Sequence, residues 1–414
     1  MAYMKILLVH KFHFRFGGAE KIYFETAKLL EEAGHEVAFF SMHHPKNEST
    51  PWEKYFVDQV DFEDQDKSLW RKIRIGWRII WNQQAYENIT RLIEEFRPDV
   101  AHCFNVYHQL SPSVLRALQK KHIPTVLTLC DFKAISPNYF LYDFSKRQLW
   151  DSASGIRCIL DRVIKHSFAK SIICAYEKWL HDALGSYQRV NLFLSPSDFL
   201  IQKYRDLGFT GRMTRIHHPV IPQTTLVSSS PALPWHERPE TYLFFGRLSP
   251  EKGVEVLLRA FVLLPEKRLE IVGFGPDETY LKQLADTLGI NQRVIFVGGE
   301  YGEALMKRIN SAKAVIMPAM WYENQPFVLM DSLQSDTPVV ASDIGGIPDI
   351  VQDGMNGFLF RSGDASDLAS CLSRLQTYDI ENILRNAKKT AGDYTASRYQ
   401  EEILSLYEEV LQKK

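Results

Sequence analysis

Short unbroken apolar runs alternate along this chain with longer stretches where apolar residues recur every three or four positions. The first run covers 5–10, and a Gly17-Gly18 turn follows it. Helical spacing then holds over 19–32, with Ile22, Ala27, Leu29 and Leu30 as its apolar points. Gly34 stops the helix, and 35–41 is a second run. Strand, tight turn, helix and strand in that order make the βαβ unit of a parallel sheet buried on both faces. Further strands are expected over 99–103, 124–129 and 190–195, with helices over 67–95, 111–121, 158–185 and 197–207.

The second half repeats the theme. Strands are expected over 242–245, 269–272, 294–297, 314–317, 339–341 and 357–360. Helices fall over 251–264, 277–288, 301–311, 326–335, 347–352 and 364–376. This alternation predicts an α/β chain with two doubly wound, Rossmann-like domains. The first would span 1–219 and the second 241–395. A Ser- and Pro-bearing stretch, 220–240, reads as the linker, and 396–414 as a helix returning to the first domain.

Charge separates the halves. Residues 1–215 carry 30 Lys+Arg and 24 Asp+Glu, a net +6, whereas 216–414 carry 19 and 26, a net −7. The sum, −1, argues against a protein whose surface grips nucleic acid. Five cysteines without a CxxC argue against a zinc site or disulfide framework, and the longest N-terminal apolar run, Ile6-Leu7-Leu8-Val9, is too short for a leader or a span. A cytoplasmic chain is the expectation.

Candidate chemistry gathers at the ends of expected strands. In 244–253, Gly246 ends a strand, Arg247 and Lys252 stand before a helix, and Ser249 and Pro250 have the residue types of an N-cap and a first helical position. Two cations beside a helix start suit an anion, a diphosphate above all; the bland alternative is a capped helix with solvated cations. In 321–331, Glu323 precedes a helix opened by Pro326, and Asp331 follows eight residues on. A carboxylate there can accept from sugar hydroxyls beside free backbone amides, or can simply complement the helix dipole. Gly273-Phe274-Gly275 lacks the third glycine of a nicotinamide fingerprint.

In combination these blocks resemble the retaining family 4 glycosyltransferases of the GT-B fold, over nearly the whole chain. GGAEK at 17–21 is similar to the family's glycine loop, 98–102 to its P-D-hydrophobic-x-H strand, 246–253 to its diphosphate motif, Glu323 and Asp331 to its E-x7-E pair, and 345–359 to a further donor-domain block. The resemblance implies two domains facing across a cleft, and a sugar moved from a UDP- or GDP-linked donor to a glycan, lipid-linked or small-molecule acceptor. It further implies retained configuration and no cofactor or metal. On it, Arg247 and Lys252 would stabilise the leaving diphosphate, Glu323 would hold sugar hydroxyls and Asp331 the ribose. Gly17, Gly18, Gly246, Gly273, Gly275, Asn324, Pro326, Phe327 and Val328 would complete the donor site. His102, Asn105, Cys130 and Asp131 would line the acceptor or sugar pocket. Two positions depart from the family: Asp331 replaces Glu, and Cys130 stands where T-L-H-D carries histidine.

The segment 67–81 holds five bases and no acid as far as Tyr86, with Trp70, Ile73, Trp77, Ile80 and Trp81 on one helical face. It suits peripheral contact with an anionic membrane beside a lipid-linked acceptor, or packing on the first sheet with a solvated basic flank. His102, His108, His217 and His218 have no metal-ligand spacing. Competing functions are a nucleotide-sugar epimerase or hydrolase of the same fold, and a non-catalytic nucleotide-sugar binding protein.

Overall fold

The computed structural model describes residues 3–60, 69–219 and 233–413, without the side chains of 69–74. Its chain divides into two compact units. The first comprises Met1–Leu141, Asp151–His218 and Ala396–Lys414; the second comprises Tyr142–Trp150 and Pro219–Thr395.

The first unit is built on β1 (Lys5–Val9), α1 (Gly18–Glu32), β2 (Glu36–Phe40), α2 (Leu69–Ile80), α3 (Gln83–Phe96), β3 (Val100–Cys103), α4 (Ser113–Lys120) and β4 (Thr125–Thr128). After the hairpin β5 (Tyr142–Asp143) and β6 (Gln148–Leu149) come α5 (Gly155–Asp161), α6 (Phe168–Ala183), β7 (Leu192–Ser195), α7 (Asp198–Asp206) and β8 (Met213–Arg215). Its six-stranded sheet runs β2-β1-β3-β4-β7-β8, with every pair parallel. Ile6, Leu7, Leu8 and Val9 are fully buried, as a strand covered on both faces requires.

The second unit holds β9 (Thr241–Phe245), α8 (Val254–Val262), β10 (Arg268–Val272), α9 (Glu278–Thr287), β11 (Val294–Gly298) and α10 (Gly302–Ser311). It continues through β12 (Val315–Met317), α11 (Phe327–Leu333), β13 (Val339–Asp343), β14 (Phe358–Arg361), α12 (Ala365–Arg374) and α13 (Ile380–Gly392). Its parallel sheet runs β11-β10-β9-β12-β13-β14. One core packs Leu257 and Phe261 of α8 and Leu368 and Leu372 of α12 on Tyr242 and Ile271 of the sheet. On other sheet positions, Leu329 and Leu333 of α11 join Val339 and Ala341. The last helix, α14 (Ala396–Gln412), belongs to the first unit. Tyr399 reaches Thr26 (2.7 Å between oxygens), and the Gln400 amide donates to the Leu29 carbonyl at 2.5 Å.

Several elements differ from their sequence expectation, each for a local reason. The helix expected over 67–95 breaks before Asn82, whose side chain accepts from Ala85 N and caps α3. The helix expected over 158–185 is two, α5 and α6. Arg162, Lys165 and His166 take left-handed backbone between them, and Ser167 caps α6. No helix forms over 347–352; that stretch is a run of turns. Of the expected linker, 220–232 lies outside the described residues, and 233–240 packs on the second unit, where the buried Trp235 indole donates to the Lys313 carbonyl at 2.8 Å. Residues 142–150, expected within 1–219, group with the second unit. There Arg147 pairs with Asp277 at 3.0 Å and lies 4.5 Å from the Tyr280 ring centre.

Candidate functional site

In the second sheet the chain order reverses between β9 and β12, which lie side by side. Loops leaving the carboxyl ends of two such strands diverge and open a crevice there. The loop after β9 carries Gly246 at φ +150, the exposed Arg247, buried Leu248 and then Ser249. The expected helix start at Ser249-Pro250 is instead a single 3-10 turn, Pro250–Lys252. Ser249 Oγ donates to Glu251 Oε1 at 2.6 Å and caps nothing, and α8 begins only at Val254. The reason is Gly253, at φ +69. A Cβ there would stand 1.7 Å from the Pro318 carbonyl oxygen, so the β9 loop lies directly on the β12 loop. Met320 N, donating to Glu251 O at 2.8 Å, ties the two again.

That contact brings Lys252 to Glu323. Lys252 Nζ donates to Glu323 Oε1 at 2.5 Å, and the Trp321 indole N–H donates to the same oxygen at 2.8 Å. Glu323 is 8% exposed, so its carboxylate is fixed in place. Its backbone is fixed too, because Gly346 N donates to its carbonyl at 2.7 Å. Gly345, at φ +65, passes so close that a Cβ would lie 2.4 Å from that oxygen. The ammonium is 5.2 Å from the centre of the Trp321 ring.

The other expected donor residues line the same loop ends. Gly273 (φ +140) and Gly275 allow no Cβ: one would meet the Gly246 carbonyl oxygen at 1.9 Å, the other that of Leu248 at 2.2 Å. Asn324 follows Glu323, Pro326 is the N-cap of α11, and Phe327 and Val328 open the helix half-buried. Asp331, half-buried, is one turn into α11, on a different element from Glu323. Gly17 and Gly18, in the first unit, are the exposed N-cap and first residue of α1.

The first sheet reverses between β1 and β3, and its loop ends hold a more enclosed polar cluster. Lys11, just past β1, donates from its backbone to the Asn105 carbonyl at 3.0 Å. Asp131, past β4, accepts from the Tyr107 hydroxyl and, at 2.9 Å, from Lys133 N, while Tyr204 donates to its backbone carbonyl at 2.8 Å. Burial raises the Asp131 carboxyl and lowers the Lys11 ammonium, and each charge partly offsets the other's desolvation. Lys133 Nζ meets Glu177 Oε2 at 2.6 Å with both side chains enclosed; burial lowers that ammonium, and Glu177, Cys174 and Asp131 together more than restore it. Lys11, Tyr107, Lys133 and Glu177 were not singled out from the sequence. For the first three the signal was their place within five residues of a strand end; Glu177, on α6, had none.

His102 departs from the expected pocket position. It is fully buried, with Nδ1 on the Tyr407 hydroxyl at 2.6 Å and Nε2 on Thr128 Oγ1 at 2.7 Å. Nδ1 thus ties the last helix to the sheet, and Nε2 joins β3 to β4. Burial lowers its pKa to about 3. Cys130 is half-buried with its thiol pushed upward by burial. Of 67–81, residues 67 and 68 and the side chains of 69–74 lie outside the described residues. Among the rest Trp77 is exposed, Ile80 is buried, and Arg78 donates to the Asp58 carbonyl at 2.8 Å.

Two parallel, Rossmann-like sheets with loop-end polar clusters define a GT-B architecture. Solved structures agree across the chain. Sucrose-phosphate synthase from Thermosynechococcus elongatus superposes with a TM-score of 0.71 at 16% identity, over 99% of this chain and 100% of that one. Anabaena HepE, in complex with UDP and glucose, gives 0.66 at 18% identity over 98% and 100%. The chain belongs to Glycosyltransferase Family 4, whose model matches residues 16–224, and the model for glycosyl transferases group 1 matches 228–390. An uncharacterised glycosyltransferase of Methanocaldococcus jannaschii is 33% identical over 171 residues, 40% of this chain and 44% of its own. The chain thus spans less than half the length of the curated relatives it matches.

Proposed function

We propose that the protein transfers a sugar from a UDP- or GDP-linked donor to a glycan, lipid-linked or small-molecule acceptor, with retention and without a metal. The observation that carries this reading is the Lys252–Glu323 contact at the reversal of the second sheet, a cation and a carboxylate anchored by three loops. Breaking the bond from the anomeric carbon to the diphosphate leaves an electron pair, and negative charge, on phosphate oxygen. Donors already aimed at that charge are the largest single catalytic term in most such reactions. Lys252 and the exposed Arg247 would supply it. Glu323, accepting from a sugar hydroxyl, would orient the ring, and Asp331 would hold the ribose. Tight glycine turns at Gly246, Gly273 and Gly275 would let the nucleotide approach the backbone. In the same-face route implied by the family, the acceptor oxygen bonds to the anomeric carbon as its proton passes to the departing diphosphate. No separate base is then needed. Support for a uridine donor comes from the fold shared with HepE, whose complex holds UDP and glucose. Gly17 and Gly18 would let the first unit's backbone approach the donor phosphates, and Asn105, Cys130 and Asp131 would serve the acceptor or sugar pocket. We place the protein in the cytoplasm, peripheral to a membrane through 67–81 and engaged in polysaccharide or glycolipid assembly.

A thermal-shift series of nucleoside diphosphates and nucleotide sugars tests the donor assignment, since a ligand of the folded state raises the melting temperature with dose. One diphosphate and its sugar conjugates should stabilise, and NMR of the product should show the donor's anomeric configuration. Release of a free monosaccharide in place of a transferred one would favour an epimerase or hydrolase. Binding with no turnover against any acceptor or water would favour a sensor.

A further inference from the structure

Seven of the nineteen large hydrophobic side chains exposed among the described residues fall within 156–184. Single exposed apolar residues are ordinary, but a concentration of this kind marks a surface with a use. On α5, Ile156 and Leu160 are one turn apart, 74% and 73% exposed. On α6, Phe168, Ile172, Tyr176 and Trp179 are spaced by four, four and three, and at 100° per residue they fit within about 80° of arc. Tyr176 and Trp179 stack with ring centres 5.5 Å apart. The buried positions of α6, Ser171, Ala175, Glu177 and His181, occupy the rest of its circumference from the edge beside Phe168 round to the far side. The two helices pack on each other, with a Cβ at Gly155 only 3.3 Å from that of Ala175, so their outer faces adjoin. α6 also takes α2, where Gly76 lies against Ile173 and the next residue, Trp77, is 57% exposed.

The charge beside this face is mostly positive, with Arg157 paired to Asp161 at 3.3 Å. Between Ile156 and Ile172 stand Arg157, Arg162, Lys165 and Lys170 against the single acid Asp161, and all four cations are exposed. Tryptophan and tyrosine settle at the headgroup level of a bilayer, where an apolar ring body and a polar edge are both accommodated, and nearby Lys and Arg contact anionic headgroups. A self-associating face would instead be depleted of charge at its core.

We propose that the outer face of α5 and α6 docks the protein on an anionic lipid surface, with Leu160, Phe168 and Trp179 entering the headgroup boundary and the four cations on the phosphates. It extends the peripheral association proposed above, takes from 67–81 only the exposed Trp77 beside α6, and does not rest on sugar transfer. Vesicle binding is read with no nucleotide sugar present, so its failure would leave the donor assignment standing.

The test is co-sedimentation of the full chain with vesicles of phosphatidylglycerol and phosphatidylcholine, against phosphatidylcholine alone. Expected is binding to the anionic vesicles only, weakened by salt, with a blue shift of tryptophan emission that Trp179→Phe largely removes. The double variant L160S/W179S, altered only at exposed positions, should melt like the wild type and bind about tenfold more weakly or worse. The pair R162E/K170E should lose the preference for anionic lipid. Absence of binding, equal binding to neutral vesicles, or unchanged binding by L160S/W179S would overturn the proposal. So would a dimer in light scattering that the double variant dissolves while no vesicle binding is seen, because the occupant would then be a second copy of the chain.

Discussion

The two units share one kind of sheet and treat charge differently. At the reversal of the second sheet, the Lys252 side chain is 27% exposed beside a carboxylate fixed by three loops. At the reversal of the first, Lys133 and Glu177 are enclosed with each other, and burial itself displaces Lys11 and Asp131. The histidines divide in the same way. Twelve of thirteen lie in the first unit and only His236 in the second. In eight of the twelve, burial depresses the pKa. One unit keeps a cation partly open beside a fixed carboxylate, whereas the other encloses the polar groups at its loop ends with one another. The chemistry and the acid sensitivity of the molecule should therefore separate by unit.

The largest effect expected from this contrast is on turnover. Lys252→Ala and Arg247→Ala should each lower it by roughly two to three orders of magnitude, the range for losing one charge-stabilising donor. They should differ in stability. Arg247 is exposed, so its removal should leave the melting temperature unchanged. Removing Lys252 strips Glu323 of its cation and should lower it. Glu323→Gln completes the set, weakening binding of the sugar conjugate far more than that of the bare diphosphate in calorimetry. Near-normal turnover in both cation variants would remove the assignment.

Next in size is a backbone effect. Gly253→Ala places a methyl group at 1.7 Å from the Pro318 carbonyl at positive φ, so the β9 and β12 loops must separate. The cost should be about 3 kcal/mol or more by denaturant titration, with loss of nucleotide binding. Gly34→Ala, at φ +86 in the first unit with nothing within 4 Å of its new Cβ, is the control. It should cost about 1 kcal/mol and leave nucleotide binding intact. Equal effects on binding would mean that the close approach of the loops does not position the donor site.

Acid should act on the first unit. A histidine held at about 3, as His102 and His218 are, binds no proton in the folded state at mildly acidic pH, whereas the unfolded chain takes one near 6.5. Its contribution is complete above the unfolded value and is lost as pH falls towards the folded one. The slope is about 1.4 kcal/mol per pH unit per proton. Asp131 and Glu20, raised by burial, act in the opposite sense and offset part of the loss. Hydrogen exchange from pH ~7.5 to ~5, corrected for intrinsic rates, should show β1, β3 and β4 losing protection before β9 and β12 do. His102→Gln should flatten the pH slope. Simultaneous loss in both units would break the comparison.

What the sequence disclosed follows the same physical divide. All six strands of the second sheet were legible, because each is a short apolar run bounded by Gly, Pro or polar turns. So were the loops that run from Gly246 to Lys252 and from Trp321 to Pro326. The 3-10 turn at Pro250–Lys252 was not legible, because Ser-Pro before an apolar helix has the same pattern whether or not the next turn continues. What decides is the Pro318 carbonyl pressing on Gly253, some 65 residues away in the chain. The breaks at Asn82 and Ser167 carry good capping residues, but helical periodicity on both sides masked them. His102 fitted a family strand motif, and only its long-range bond to Tyr407 shows that it serves the core. The buried pair Lys133–Glu177 was equally invisible, since its members are 44 residues apart and ion pairing leaves no periodic mark.

The smallest effect is expected at Cys130, and it sharpens the comparison from the side of the first unit. The thiol is half-buried, and burial, with Asp131 and Glu20 adding to it, pushes its pKa upward against a weaker pull from Lys11. It is therefore protonated at neutral pH, and a protonated thiol is neither a nucleophile nor a strong hydrogen-bond donor. A covalent role would require the reverse, a thiolate stabilised by a neighbouring cation. Cys130→Ser substitutes a hydroxyl of nearly the same shape and should change turnover by less than about threefold, with a stability cost of about 1 kcal/mol for burying a more polar atom. Alkylation of the thiol should inhibit in proportion to the bulk added, a methyl group less than a carboxamidomethyl. If Cys130→Ser abolished transfer while nucleotide binding stayed normal, the thiol would be chemical. The first unit would then hold a reactive group in the cluster that its burial otherwise assigns to the fold.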